Sequence, residues 1–281
     1  MDSVKVKNFI ILVLIIVNLA LLVVVVRDNM LGSEQRHEAI EGAREILLSY
    51  GISVSEDADL SAREASSYTV TRNQEAERQA AADILGDCEV TDRGGGIFMY
   101  GSTVGEVTFR STGSLELQYY GYAAPEPEEP EQMALELSRK LGAEVSEDDL
   151  SSETSVSPGT QEPTTVVTVG CNWQGSRIIN CSLSFTFKSG KLLYINGSRP
   201  LGETASEQEE NIIDVPTVLM RFIELTQEKG HVCSSLDELE LCYVYNGSAS
   251  GGGSLVPVWR LGTDTGYFYI NALSGKEETV S

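Results

Sequence analysis

An α+β protein, built as one N-terminal transmembrane helix followed by repeated helix-plus-antiparallel-sheet domains, is predicted by three observations. Residues Phe9 to Val26 are apolar except for Asn18. Three amphipathic stripes further on each stop at a glycine, and each is followed by alternating segments that close with a strand, a glycine-containing turn and a second strand.

The apolar run comes first. At about 1.5 Å per residue it covers most of a hydrocarbon core roughly 30 Å thick. Lys5 and Lys7 precede it, while Arg27 is followed by Asp28 and a mostly acidic sequence, so the positive-inside rule places the N-terminus in the cytoplasm. A cleaved signal peptide would end in a small-residue site, and Val23 to Asp28 offers none. The first cysteine is Cys88, which excludes a lipid-attachment cysteine beside the run. The expectation is a single-pass cell-membrane anchor with extracytoplasmic domains behind it. Asn18, the one polar residue of the span, could hydrogen-bond a neighbouring helix. Asn18, Leu19 and Leu22 are the candidate partner contacts, and Lys5 and Lys7 set the topology.

Beyond residue 27 the chain holds 17 basic and 41 acidic side chains, a formal charge of −24. Such a body repels nucleic acid and anionic lipid. Five cysteines leave at least one unpaired by any intramolecular scheme. Cys171 and Cys181 flank an expected hairpin turn at Gln174 to Arg177 and could bridge it, Cys233 and Cys242 are a looser pair, and the alternative is that all five, Cys88 included, are reduced core residues. Asn-x-Ser sequons start at Asn180, Asn196 and Asn246 and read as turn chemistry.

The helical stripes are Ile40, Ala43, Leu47 and Tyr50 before Gly51; Ala134, Leu137 and Leu141 before Gly142; and Val215, Val218, Leu219 and Phe222 before Gly230, with Asp214 as N-cap. After the first two glycines the sequence nearly repeats, as Ser-Glu-Asp-Ala-Asp-Leu-Ser61 and Ser-Glu-Asp-Asp-Leu-Ser151, and the glycines lie 91 and 88 residues apart. A period this long fits repeated small domains. Each unit ends in a hairpin turning at Ser111 to Gly113, Lys188 to Gly190 or Leu273 to Gly275. An Ala-rich helix from Gln74 to Leu85 is an insertion in the first unit. Ala124 to Pro130 and Pro200 to Glu210 read as linkers, and Asn246 to Ser254 as a hairpin loop. The chain is thus divided into a tip and anchor at 1–30 and α+β units at 31–125, 126–210 and 211–281.

Catalytic chemistry is sparse. His37 and His231 are the two histidines, one on a juxtamembrane helix and one just after a helix C-terminus where a cation suits the dipole. Glu56, Asp57 and Asp59 recur as Glu147, Asp148 and Asp149, without the spacing of a calcium loop, and read as solvated loops. No zinc, phosphate-loop or dinucleotide pattern is present, and Trp173 and Trp259 read as core or hairpin anchors. No catalytic residue, cofactor or metal is expected, and the chain is expected not to be an enzyme.

Met1-Asp2-Ser3-Val4-Lys5-Val6-Lys7, the apolar run with Asn18-Leu19, and the closing segment Pro257-Val258-Trp259-Arg260 with Tyr267 to Gly275 resemble the YycI (WalI) family of Gram-positive bacteria and the related YycH proteins. Ser3 stands where that family usually has an aromatic residue. The closing hairpin is also similar to the PepSY type of small domain. The resemblance implies a non-enzymatic regulator that contacts a membrane sensor histidine kinase of the cell wall through its transmembrane helix, with a YycH-like protein as a possible second partner. The alternative it leaves open is a PepSY-like tethered inhibitor or chaperone of an extracellular protease or wall hydrolase.

Overall fold

The structure is a computed structural model describing residues 34–156, 162–200 and 202–279; the predicted span, with Lys5, Lys7, Asn18, Leu19 and Leu22, lies outside them. The described residues form a mixed α+β protein dominated by sheet, with four α-helices.

The helices form where stripes and caps coincide. Helix α1 runs over 34–49 and hands over to Gly51 at φ 82°. Helix α2, Gln74–Leu85, is the Ala-rich segment, capped by Asn73, whose side chain accepts from the Ala76 amide at 2.9 Å. Helix α3, Pro130–Lys140, starts on a proline, which lacks only an amide the first turn would leave unpaired, and ends before Gly142 at φ 81°. Helix α4, Val215–Lys229, is capped by Asp214 and ends on left-handed Gly230.

The strands are β1 (Ser53–Val54), β2 (Ala65–Thr71), β3 (Glu89–Gly94), β4 (Ile97–Gly101), β5 (Gly105–Arg110), β6 (Ser114–Tyr119), β7 (Leu150–Val156), β8 (Pro163–Trp173), β9 (Ser176–Lys188), β10 (Lys191–Ser198), β11 (Glu203–Glu210), β12 (Ser235–Gly247), β13 (Gly252–Thr263) and β14 (Gly266–Asn271). All 14 join one sheet, whose main path is β11-β2-β13-β12-β9-β10-β6-β5-β4-β3. The β8–β9 and β9–β10 hairpins turn on Gln174-Gly175 and Ser189-Gly190, each residue at positive φ, the geometry that two-residue turns need to match strand twist.

Two apolar cores lie against this sheet. One gathers α2 and α3 over β4 to β6 and β8 to β10, with Phe185, Phe187, Leu183 and Leu192 fully buried. The other gathers α1 and α4 over β12, β13 and β14 around Phe222, Leu219 and Trp259. The division at 31–125, 126–210 and 211–281 follows the order of the repeats along the chain, whereas the packing joins α1 and β1 to elements of the last segment.

Three local expectations need correction. Pro200 to Glu210 is not simply a linker, because β11 pairs antiparallel with β2 from Glu203↔Thr71 to Glu210↔Ala65. Its side chains are almost all exposed, so backbone pairing holds it, helped by the Tyr68 hydroxyl donating to Glu207 and the Asn73 side-chain amide donating to Glu203, and no alternation marks it in the sequence. The sequon asparagines are strand residues and not turn residues. Asn196 lies opposite Ser184 and Glu116, Asn246 opposite Ser254, and Asn180 within β9. The loop expected at Asn246 to Ser254 contracts to 248–251 because both strands extend into it.

Asn180 marks the place where β9 changes partners. Residues Leu183 to Lys188 pair with β10 on one edge, while Ile178 on the same strand pairs in parallel with Tyr243 of β12. Between them the Asn180 carboxamide takes the role of a peptide: its amide donates to Tyr245 O at 2.8 Å and its carbonyl accepts from Tyr245 N at 2.9 Å. Truncation strands both backbone groups in a part-buried place. Asn180→Ala is expected to cost about 1–3 kcal/mol, measured by chemical denaturation, whereas Asn246→Ala, on the exposed end of β12, should cost far less.

Candidate functional site

The candidate contacts within the predicted span lie outside the described residues. The element that follows them in the chain, α1, is fully placed from residue 34 onward. Ala43 and Leu47 point inward, at 4% and 0% exposure, into the core shared with Val218, Leu219 and Phe222 of α4. Past Gly51 the chain turns at once into β1. The Ile52 amide donates back to Leu47 O, and the Ser53 and Ser55 amides donate to Ser234 O and Leu236 O at 2.9 Å each. Parallel pairing of Ser53 with Ser235 and Val54 with Leu236 completes the attachment.

Asp264 locks the receiving side. Its carboxylate accepts from the Ser234 amide at 3.0 Å and from the Ser234 hydroxyl at 2.6 Å. Those bonds hold its pKa below the ordinary 3.8.

Between α1 and α4 runs a groove of about 490 Å³ lined by Ala39, Gly42, Ala43, Ile46, Pro216 and Met220, together with the paired Arg221 and Glu224 of α4. A Cβ built on Gly42 would meet nothing within 4 Å. Among the described residues eleven large apolar side chains are exposed, and five of them, Ile46, Leu48, Tyr50, Met220 and Val232, belong to this helical layer and the turn after α4. That concentration marks the layer as the strongest candidate contact surface. The sequence carried a signal for it in the small residues Ala39, Gly42 and Ala43 on one helical face, but the partner side of the groove, Pro216 and Met220, comes from 170 residues away and leaves no local trace.

A second concavity, of about 260 Å³, lies where the two halves of the sheet meet, with Tyr68, Trp173 and Tyr243 in its wall. The Tyr68 hydroxyl donates to Gln174 Oε1 at 2.8 Å, and the Tyr68 ring lies 5.7 Å from Trp173 and 5.8 Å from Tyr243. Burial, reinforced by neighbouring Tyr68, pushes the Tyr243 phenol up to about 12, so it stays protonated.

The acidic repeat divides by role. Ser55 and Ser146 make the same local turn, each hydroxyl accepting from the amide two residues on, at 3.2 and 3.3 Å. Glu56, Asp57, Asp59, Glu147 and Asp148 remain exposed or half-exposed, as expected of solvated loops. Asp149 departs from that expectation. Its side chain is 8% exposed and pairs with Arg177 at 2.5 Å, and Arg177 in turn faces Glu240 of β12 at 3.9 Å. Arg260 of β13 closes the series with Glu240 at 2.7 Å and Glu238 at 3.0 Å. Alternating charges therefore cross from one half of the sheet to the other. His37 is exposed on α1, and the exposed His231 ring meets Phe268 edge-on at 5.4 Å.

All five cysteines are free thiols, with Cys171, Cys181, Cys233 and Cys242 buried and Cys88 partly so. Cys171 lies opposite Ile178, and Cys181 lies within the register shift between Ile178 and Ser182, so the two are not directly paired across the β8–β9 hairpin. Burial pushes the Cys181 thiol up to about 12 and raises Cys171 and Cys242 as well, which leaves them protonated and poorly nucleophilic. Among the described residues no group of three or more His, Cys, Asp or Glu side chains is arranged to hold a metal ion.

No family model matches this sequence, and no curated protein matches it. Among solved structures the chain is similar to an uncharacterized protein from Eubacterium rectale ATCC 33656, at 13% identity and a TM-score of 0.49, over 82% of this chain and 90% of that one. It is also similar to the C-terminal domain of YpeB from Bacillus megaterium, at 12% identity and a TM-score of 0.33, over 75% of this chain and 98% of that one.

Two measurements check this geometry. Thiol titration should count five reactive groups in denaturant, with Cys88 the first modified in the native protein; fewer than five in denaturant without reductant would reveal a disulfide. Asp264→Ala should speed amide exchange at Ser53 and Ser55. Because the folded pKa is depressed, the stabilisation removed is fully present above 3.8 and lost as pH falls through the folded value, so the variant and wild type should converge in acid.

Proposed function

We propose that this chain is a membrane-anchored, extracytoplasmic accessory regulator of a sensor histidine kinase, acting through its transmembrane helix. The observation that carries the reading is the way α1 is built in. The predicted span ends at Val26, and α1, described from residue 34 onward, is fixed to the body by Ala43, Leu47 and β1. A mere tether works best with a compliant linker that decouples its cargo. A signalling anchor needs the opposite, a short stiff path along which a displacement of the body becomes a rotation or shift of the span. The resemblance of both chain ends to the YycI and YycH families supports the kinase as partner, and the acidic body supports an extracytoplasmic site away from anionic lipid.

The reading is tested in cells by two replacements. One exchanges Phe9 to Val26 for an unrelated span, and the other inserts a short Gly-Ser segment between residues 33 and 34. Kinase output should lose its dependence on this protein in both. Retained function in both would move the assignment to a PepSY-like tethered inhibitor or chaperone of a protease or wall hydrolase. Asn18→Leu should weaken co-purification of the kinase by an amount consistent with one interhelical hydrogen bond, about 0.6–2 kcal/mol.

A further inference from the structure

The concavity where the two halves of the sheet meet is walled by aromatic rings and rimmed by carboxylates. Ser66 and Tyr68 of β2 stand opposite Glu209 and Glu207 of β11, and residues directly opposite in an antiparallel pair share a face, so both carboxylates lie on the Tyr68 side. Glu64, just before β2, adds a third. Across the cavity the β8–β9 turn brings Trp173 and Gln174, and Tyr243 of β12 completes the wall. The wall is held in place: Tyr68 and Tyr243 are 5% and 7% exposed, and the Tyr68 hydroxyl meets Gln174 at 2.8 Å and Glu207 at 3.2 Å.

Charge selects the occupant. Glu64 and Glu209 line the cavity, and Glu207 borders it through Tyr68. No lysine, arginine or histidine lines it, and among the described residues none of the three carboxylates is in an ion pair. Burial raises the pKa of Tyr68 and of Tyr243, so the phenols stay neutral and leave that charge uncancelled. Elsewhere the sheet neutralises its partly buried acids from within, as Asp149 with Arg177 and Glu240 with Arg260. An anion is repelled by this rim. Among the described residues no His, Cys, Asp or Glu group is arranged to hold a metal ion, whereas aromatic rings beside carboxylates attract an organic cation. A guanidinium matches both parts of the wall, because its plane stacks on a ring such as half-buried Trp173 while its fork of N–H donors meets carboxylate oxygens. A volume of about 260 Å³ suits one side chain or a small molecule.

We infer that the cavity walled by Tyr68, Trp173 and Tyr243 binds a guanidinium group, stacked on Trp173 and held by Glu64 and Glu209, supplied by an arginine side chain of another polypeptide or by a free small molecule. The site goes beyond the regulator reading and does not rest on it. Its walls come from β2, β11, β12 and the β8–β9 turn, so an occupant bridges the two halves of the sheet.

The test titrates acetyl-arginine-amide, acetyl-lysine-amide and acetyl-citrulline-amide by calorimetry into the full chain in phosphatidylcholine nanodiscs, with empty discs as blank. Citrulline keeps the shape of arginine without its charge. Arginine should bind at least about tenfold more tightly than citrulline, and more tightly than lysine. Tryptophan emission should change with it and report Trp173, because Trp259 is 1% exposed in the other core. Glu64→Gln combined with Glu209→Gln, both exposed side chains, should weaken arginine binding by about tenfold or more. Glu153→Gln on β7, an exposed acid outside the cavity, should leave it unchanged. No binding, equal affinity for citrulline, lysine binding as well as arginine, or a loss in Glu153→Gln equal to that of the double variant each overturns the inference, the last by assigning the attraction to the general field of the acidic body. A capped Gly-Gly-Arg-Gly-Gly peptide separates the sources: about tenfold tighter binding than the capped amino acid assigns the site to a polypeptide, and equal affinity to a small molecule, the guanidinium site standing in both cases.

Discussion

Strand β9 needs hydrogen-bonding neighbours on both edges; β8 supplies one from Ser176 to Lys188, and no single strand supplies the other along its whole length. β10 covers it near Phe187, β12 meets it at Ile178, and the interval is closed by the carboxamide of Asn180 bonded both ways to Tyr245. A buried strand edge without partners costs on the order of a lost hydrogen bond per group. The halves of the sheet are thus joined by one backbone pair, Ile178 with Tyr243, and the Asn180 side chain extends that junction by two hydrogen bonds. Around it gather the other interactions that cross between the halves: the Asp149, Arg177, Glu240 and Arg260 series, and the Tyr68, Trp173 and Tyr243 rings.

The same junction explains why repeated local structure does not produce repeated packing. Ser55 and Ser146 form matching turns after matching glycines, yet the first leads from a two-residue strand on β12 and the second leads into the β7–β8 hairpin. Local sequence determines the turn, and long-range pairing determines which core the turn serves. By joining the second core, α1 becomes part of the body and carries the groove along with it.

How much of this was legible follows the same line. The helices were legible because an amphipathic stripe, a cap and a terminal glycine all lie within one short window; Gln74–Leu85, Asp214 and Gly230 were located to the residue. The hairpins were legible at Ser189-Gly190 and Gln174-Gly175 because tight turns demand residues tolerant of positive φ. Hidden from the sequence were features whose cause is distant. β11 buries no side chain, Asn180 acts on a residue 65 positions away, and Ser53 bonds Ser234 across 181 positions. Asp149 looked like its exposed neighbours, and only the approach of Arg177 distinguishes it. For the site, the stripe of Ile40, Ala43 and Leu47 on α1 was legible, but a groove needs two walls, and the wall from α4 could not be inferred from either helix alone.

The orientation of β1 has a mechanical meaning. β1 runs parallel to β12, and the amides of Ser53 and of Ser55 just after it bond to Ser234 and Leu236. Displacing α1 from the body therefore means breaking both backbone bonds as well as withdrawing Ala43 and Leu47 from the core. A two-residue strand thus ties the N-terminal helix of the described residues to a strand that lies about 180 positions further along the chain.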